Sequence, residues 1–262
     1  MLTINITTTS SRLELCSCTV WSLCLQTVQF DEIRIWVSKE PYLKDSGITT
    51  EPSWVTNVRK LGISISFIWT ENTGPYRKII PALRQAEYND VLVYADDDVF
   101  YGQEWLECLT TNFYANDCKH IVATRVRKII DGEFYNNYPI IDIKETILDN
   151  YIITGVGGVI LSTSLVNRNL LNNDAFLSVA PTADDIWLSK VYQISGTPLT
   201  VVPDGMKLIN EIKHGQGLSE NNTKKKKISI IKKIALKLRK KKYNYCDNDD
   251  LIIKVNKYFS HY

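Results

Sequence analysis

Short apolar runs and segments of helical period alternate along the first half of the chain. Runs rich in β-branched residues, each short enough for one buried strand, lie at 2–7, 32–37, 63–69, 91–94 and 121–126. Apolar residues recur at helical spacing from Ser11 onward, over 76–86 and over 103–112. The order strand, helix, strand, strand, helix, strand predicts an α/β domain with a mostly parallel, Rossmann-like central sheet flanked by helices.

The first helix has a start signal in the sequence. Ser11 and Glu14 follow a polar loop and have the S-x-x-E spacing of a capping box, in which the two side chains bind each other's backbone amides. We therefore expect the helix to begin at Ser11 and its first turn to be capped by side chains.

The pattern is less regular after residue 126. Polar and apolar residues are mixed over 127–150, and no element is predicted there. The apolar stretch 151–162 contains three glycines, which inside a strand mark a bulge or a close approach of the backbone to another group. A helix over 184–195 and a strand over 198–202 complete one predicted domain, 1–215.

The remaining residues, 216–262, are predicted to be a linker followed by a basic tail. Residues 224–242 carry 11 of the 31 Lys and Arg residues and no acidic residue. On a helix, Ile228, Ile231 and Leu238 share one face, which predicts a basic amphipathic helix on the inner membrane surface. Two alternatives are a helix docked on the protein's own acidic body and a disordered tail.

Charge and cysteine usage narrow the class of protein. Without the tail the chain is acidic, so the charge does not favour a partner such as nucleic acid, which needs a basic folded face. The six cysteines form no C-x-x-C pair and are predicted to be reduced thiols. No signal peptide and no apolar run of about 20 residues is evident. We expect a cytoplasmic location, peripheral at the membrane through the tail.

Three consecutive aspartates, Asp96, Asp97 and Asp98, follow the buried run VLVYA. Carboxylates this close repel one another unless a cation neutralises them. A strand that ends on them places them at the sheet edge where α/β proteins bind ligands. The pattern predicts a divalent metal site that is used with a substrate; the alternative is an acidic loop without metal.

Four motifs occur in an order that resembles the GT-A glycosyltransferases, most nearly the family-2-like bacterial enzymes that build surface polysaccharides. They are the strand and loop ITTTSSR, the segment GPYRK, the triplet ADDD and the later acidic pair ADDIW. The resemblance covers about residues 2–215. It implies a GT-A fold, Mn²⁺ or Mg²⁺ as cofactor, a nucleotide-sugar donor, and a glycan or lipid-linked acceptor.

The resemblance also implies roles for single residues. Asp98 is the expected metal ligand, and His214 is expected to complete the metal shell. Asp96 is expected to contact the metal or the sugar donor. Asp97 is expected to hold the loop on the donor side. Lys78 is expected to pair with a donor phosphate. Further donor contacts are expected from residues at strand ends and in the glycine stretch, namely Thr8, Thr9, Arg12, Gly157 and Gly158. The structural alternatives are a solvated surface charge for Lys78, helix capping for the loop residues and close sheet packing for the two glycines.

Asp184 and Asp185 open the last predicted helix. The resemblance implies that one of them, with Asp185 preferred, accepts the proton of the acceptor hydroxyl as it attacks the anomeric carbon, which would invert the configuration. Acids at a helix start also simply stabilise the helix dipole. Three other functions stay open: a haloacid-dehalogenase-type phosphatase with Asp96 as nucleophile, a nucleotidyltransferase, and a non-catalytic membrane-surface adaptor.

Overall fold

The computed structural model describes residues 1–213, 222–226 and 244–262. The predicted residue His214 and most of the predicted basic helix over 224–242 therefore lie outside the described residues. In the described part of the chain, no helix combines the length and the apolar character needed to cross a membrane.

The strands are β1 to β12 in chain order. Their bounds are Leu2–Thr7, Glu32–Val37, Ile65–Trp69, Val91–Tyr94, Val99–Tyr101, Ile121–Ala123, Val126–Lys128, Glu145–Ile147, Tyr151–Ile153, Val159–Ser162, Leu199–Val201 and Ile209–Glu211. The α-helices are α1 to α7. Their bounds are Leu13–Leu23, Ser53–Lys60, Ile80–Gln85, Trp105–Tyr114, Phe176–Val179, Asp184–Ile194 and Asp247–Tyr258.

Eight strands form the central sheet in the order β3-β2-β1-β4-β10-β6-β11-β8. The first four run parallel, which confirms the predicted parallel half. β10 is antiparallel to both β4 and β6, and β8 is antiparallel to β11. The sheet is therefore mixed, with its parallel half carrying the N-terminal strands.

Hydrophobic cores cover both faces of this sheet. Successive residues of β4 alternate between them: Leu92 and Tyr94 belong to one core and Val93 to the other. The alternation follows from the two-residue period of a strand and explains why the β4 run VLVY is apolar throughout. Both faces of the sheet are thus occupied, and its ligand-binding surface is left at the strand ends.

The C-terminal helix α7 belongs to this domain. Leu251, Val255 and Phe259 are part of one of the two cores, and the Phe259 ring centroid lies 4.7 Å from that of Trp187 on α6. The core therefore extends past the predicted domain boundary at residue 215. The described C-terminal helix is also a different segment from the predicted basic one.

Two local predictions were wrong. No side-chain cap opens α1: a 3-10 turn, Ser10–Arg12, precedes it, and the Ser11 hydroxyl lies 3.3 Å from that of Thr9 instead of capping the helix. The predicted helix over 76–86 is divided at Ile79, whose φ of −141° separates the 3-10 helix Gly74–Lys78 from α3. Pro81 in the first turn of α3 explains the break, because it has no amide hydrogen to donate to the Arg77 carbonyl and its ring would clash with that carbonyl in a continuous helix.

Candidate active site

A cleft of about 460 Å³ lies at the carboxyl ends of the parallel strands. Nine of the predicted site residues line it: Thr8, Thr9, Arg12, Lys78, Asp96, Asp97, Asp98, Asp184 and Asp185. The loops after β1 and β4, the 3-10 helix Gly74–Lys78 and the start of α6 bring them together. Residues separated by up to 177 positions thus form one site, as the parallel topology predicts.

Arg12 neutralises part of the aspartate loop. Its guanidinium lies 2.8 Å from an Asp97 carboxylate oxygen and 3.3 Å from one of Asp98. Asp97 is 2% exposed, and its burial raises its pKa to about 6. Asp97 therefore holds the loop against the first helix, and the Arg12 guanidinium is already engaged with carboxylates.

Lys78 joins the aspartate loop to the acidic pair. Its ammonium lies 2.8 Å from Asp96 and 2.9 Å from Asp184, and the residue is 5% exposed. Burial alone would lower the pKa of Lys78, but the carboxylates of Asp184 and Asp96 hold it well above its usual value. Lys78 is therefore a permanently charged, buried link rather than a solvated surface lysine.

Asp184 and Asp185 have different surroundings although they are adjacent. Asp184 pairs with Lys78, whereas one oxygen of Asp185 accepts the amide hydrogen of Gly155 at 3.1 Å. Burial and the neighbouring Asp184 raise the pKa of Asp185 to about 8. Neither acid is the N-cap of α6, which is Ala183. A carboxylate with this pKa exchanges a proton near neutral pH, which is what a general base needs.

Arg77 and Asp45 are site residues that the sequence did not reveal. Arg77 is 1% exposed, and one of its nitrogens lies 2.8 Å from Asp45 and 3.0 Å from the Thr8 carbonyl oxygen. Its Nε and Nη1 find no hydrogen-bond partner among the described residues. Asp45 also accepts the backbone amides of Ser10 and Gly47, so it fixes the loop after β2 at the cleft.

Gly157 and Gly158, for which donor contacts are predicted, pack closely against Thr124 and Trp105. A Cβ on Gly157 would lie 1.9 Å from the Thr124 hydroxyl, and one on Gly158 would lie 2.2 Å from the Trp105 ring. Neither residue is among the described residues that line the cleft. The glycine that approaches the site is Gly155, where a Cβ would lie 2.7 Å from the Lys78 ammonium.

The carboxylates of Asp96 and Asp98 are the side chains that would hold a divalent cation bound together with a diphosphate. The Asp96 and Asp98 side chains are 30% and 24% exposed, and the described cleft lining has six carboxylates against four basic side chains. Within the described residues no three His, Cys, Asp or Glu side chains form a metal-binding group. Mg²⁺ needs only one or two protein carboxylates when phosphates supply other ligands, so this arrangement suffices.

Comparisons with solved structures identify the fold. Residues 1–349 of TarS from S. aureus, in complex with UDP-GlcNAc, match over 99% of this chain and 72% of TarS 1–349, with a TM-score of 0.50 and 15% identity. Another structure of TarS 1–349 matches with a TM-score of 0.46 and 17% identity. That match covers 78% of this chain and 58% of the TarS chain. No family model matches the sequence, and no curated protein matches it either.

These findings confirm the predicted GT-A-like fold. The mixed sheet, with helices on both faces and the aspartate triplet after β4, is the architecture that the motif order implied. At 15% identity the likeness to TarS concerns the fold, and the chemistry of the cleft has to be argued from its own residues.

Proposed function

We propose that this protein is a metal-dependent glycosyltransferase that moves a hexose from a nucleotide-diphosphate sugar to a hydroxyl group of a glycan or lipid-linked acceptor. The observation that carries the proposal is the junction at Lys78. One ammonium connects Asp96 of the aspartate loop with Asp184, directly beside Asp185. A donor-binding loop and a candidate base are thus held in one cleft.

In this proposal Asp96 and Asp98 hold the Mn²⁺ or Mg²⁺ ion. A bound divalent ion would neutralise charge on the leaving diphosphate. The lining acids outnumber the bases, so the cleft alone would repel a diphosphate. Arg77 has two unpartnered guanidinium nitrogens among the described residues and lies where it can bind the nucleotide.

Asp185 is the proposed base. It removes the proton from the acceptor hydroxyl, the hydroxyl oxygen bonds to the anomeric carbon, and the bond from that carbon to the diphosphate oxygen breaks with its electron pair leaving on the diphosphate. Attack from the face opposite the leaving group inverts the anomeric configuration. Lys78 keeps Asp184 paired, so Asp185 is left to exchange the proton.

The first experiment is a thermal-shift screen of nucleotide sugars with and without Mn²⁺, beginning with UDP-GlcNAc, because TarS 1–349 was solved with it. At 100 times its Kd a ligand stabilises the folded state by about 2.7 kcal/mol, a rise in Tm on the order of 5–10 °C. We expect the Mn²⁺-dependent part of the shift to disappear in Asp98→Ala and to persist in the control Asp131→Ala, which changes an exposed acid. No shift with any nucleotide sugar would contradict the proposal.

The products distinguish this reaction from the alternatives. A transferase releases a nucleoside diphosphate, a nucleotidyltransferase releases pyrophosphate, and a phosphatase of the haloacid-dehalogenase type forms an aspartyl phosphate on Asp96. The membrane contact through 224–242 and the cytoplasmic location remain predictions. Binding of the full chain to vesicles with and without anionic lipid tests the first of them.

A further inference from the structure

One wall of the cleft is formed by uncharged polar and aromatic side chains beside the acidic pair. We call it the amide wall, and its members are Tyr135, Thr182, Asn222, Thr223 and Asn248. Three of them lie after residue 215, in the part of the sequence that predicted only a linker and a tail. Residues after 215 therefore line the cleft, although the proposed reaction gives them no role.

Hydrogen bonds hold the first part of this wall next to the acidic pair. The Asn222 side-chain amide donates to the Thr182 backbone oxygen at 2.7 Å, and the Thr182 hydroxyl donates to the Asn222 side-chain oxygen at 3.2 Å. Asn136 donates to the backbone oxygens of Thr223, at 3.0 Å, and of Asn244, at 3.2 Å. Because Thr182 is two residues before Asp184, residues 222–226 lie close to the candidate base.

The start of α7 is fixed in the same way. The Tyr135 amide donates to the Asp249 carboxylate at 2.8 Å, and the Lys226 ammonium lies 2.5 Å from Asp247 and 2.6 Å from Asp250. The residues on both sides of Asn248 are thus tied to other segments. Asn248 is held in the cleft wall by its neighbours rather than by its own side chain.

Asn248 has an unsatisfied polar atom in this otherwise bonded wall. The residue is 6% exposed, and its side-chain oxygen has no hydrogen-bond partner among the described residues. An unpaired buried amide oxygen costs free energy, so its presence at a cleft needs an explanation. A ligand hydroxyl would satisfy the oxygen, and the amide NH₂ of the same side chain can donate to a second hydroxyl.

The chemistry of the wall favours an uncharged ligand. None of its five members is ionised at neutral pH, so the wall offers no opposite charge to pair with an anion that would be buried there. The Arg127 guanidinium lies 5.0 Å from the Tyr135 ring centroid, but it donates to the Tyr138 carbonyl oxygen and is not among the described lining residues. Arg127 therefore supports the ring without making the wall cationic.

We propose that the amide wall is the acceptor subsite and that Asn248 recognises hydroxyl groups of a neutral sugar there. Tyr135 supplies an apolar surface for the sugar ring, and Asn222 acts as a positioning residue that holds the wall against Thr182. This inference rests on the proposed transferase function. The acceptor assignment follows from the position of the wall, because an acceptor hydroxyl must reach Asp185. The nucleotide is expected elsewhere in the cleft, at Arg77 and Asp45.

The test measures acceptor and donor separately on the full chain. Methyl β-glucoside and methyl β-glucuronide, which differ by a carboxylate, are offered as acceptors with a panel of UDP-hexoses, and UDP release is followed. Binding of each UDP-hexose alone is measured by calorimetry. The variants are Asn248→Ala and Asn222→Ala, and the control is Asn256→Ala, which changes an exposed asparagine on the same helix.

We expect transfer to the glucoside and not to the glucuronide. Asn248→Ala should raise the acceptor KM by about tenfold, the loss expected for a removed hydrogen bond, with the donor Kd unchanged. Asn222→Ala should raise the acceptor KM without changing the donor Kd, and Asn256→Ala should change neither. Three results would each overturn the acceptor assignment and leave the transferase function standing. They are an unchanged acceptor KM in Asn248→Ala, a weakened donor Kd in that variant, and preferred transfer to the glucuronide. Failure of the wild type to bind any nucleotide sugar, UDP-hexoses included, would overturn both.

Discussion

Replacing Lys78 by Met tests how the cleft balances its charges. The variant removes an ammonium that lies 2.8 Å from Asp96 and 2.9 Å from Asp184 and keeps an unbranched side chain of similar length. The two carboxylates would lose their shared counter-ion. The pKa of Asp185 would rise further, because the Lys78 charge lowers it in the wild type.

The expected loss of stability follows from burial. Removing one partner of a buried ion pair costs about 3–5 kcal/mol. The Asp184 side chain is 11% exposed but that of Asp96 is 30% exposed, so solvent screens part of the effect and we expect about 2–4 kcal/mol. The folded state raises the pKa of Lys78, so its contribution is fully present below its usual value of 10.5 and is lost only as pH rises through the higher folded-state value.

Thermal unfolding at pH 7 measures this loss. The expected cost corresponds to a fall in Tm on the order of 5–15 °C. Lys60→Met, which changes an exposed lysine at the end of α2, is the control and should unfold close to the wild type. A Lys78→Met protein that unfolds within about 2 °C of this control would refute the buried-link interpretation.

Three further predictions concern the support of the site. Arg77→Met leaves Asp45 buried without its counter-ion and should lower the free energy of unfolding by about 3–5 kcal/mol, measured by urea denaturation; an unchanged midpoint would contradict the pairing. Gly158→Ala, at φ +88° and against Trp105, should cost more than Gly62→Ala, at φ +81° in open space, and equal costs would show that the ring does not limit the position. The raised pKa of Asp185 should make its stability contribution fall from about pH 4 to about pH 8, and a pH scan of Tm should show a shallower slope in Asp185→Asn.

The sequence predicted the buried strands best. The bounds of β1, β2 and β4 agree with the predicted runs: β4 is apolar at every position, and polar residues in β1 and β2 alternate with apolar ones at the two-residue period of a strand. Helix α2 was missed, since only three of its eight residues are apolar and the pattern is therefore short. Strands β7 and β8 have three residues each and exist through pairing with β9 and β11, partners that no local pattern over 127–150 reveals.

The candidate site was predictable where the topology alone decides it. The loop at the end of β4 brings Asp96 and Asp98, and the start of α6 brings Asp185, into one cleft. Lys78 is the last residue of the 3-10 helix before the break at Ile79. The helical pattern over 76–86 shows neither this break nor the ion pairs of Lys78. The amide wall depends on hydrogen bonds between distant segments, such as the one from Asn136 to Thr223, and composition there indicated only a linker.

The six cysteines illustrate a prediction that needs little structure. All six are free, as their spacing indicated, and Cys16 and Cys246 are buried. Burial raises the pKa of the Cys24 thiol to about 11, so this residue stays a protonated packing group at neutral pH. None of the six is among the described residues that line the cleft, so we expect no cysteine chemistry in the reaction.

The central claim is that Asp185 is the base for sugar transfer in this cleft. Its most direct test is single-turnover release of nucleoside diphosphate from a bound nucleotide sugar in the presence of Mn²⁺ and an acceptor, comparing wild type with Asp185→Asn at equal donor occupancy. We expect the wild-type rate to rise with pH through about 8, where Asp185 loses its proton, and Asp185→Asn to bind the donor normally but to be slower by about 10²–10⁴-fold. An Asp185→Asn protein that transfers sugar at the wild-type rate would contradict it.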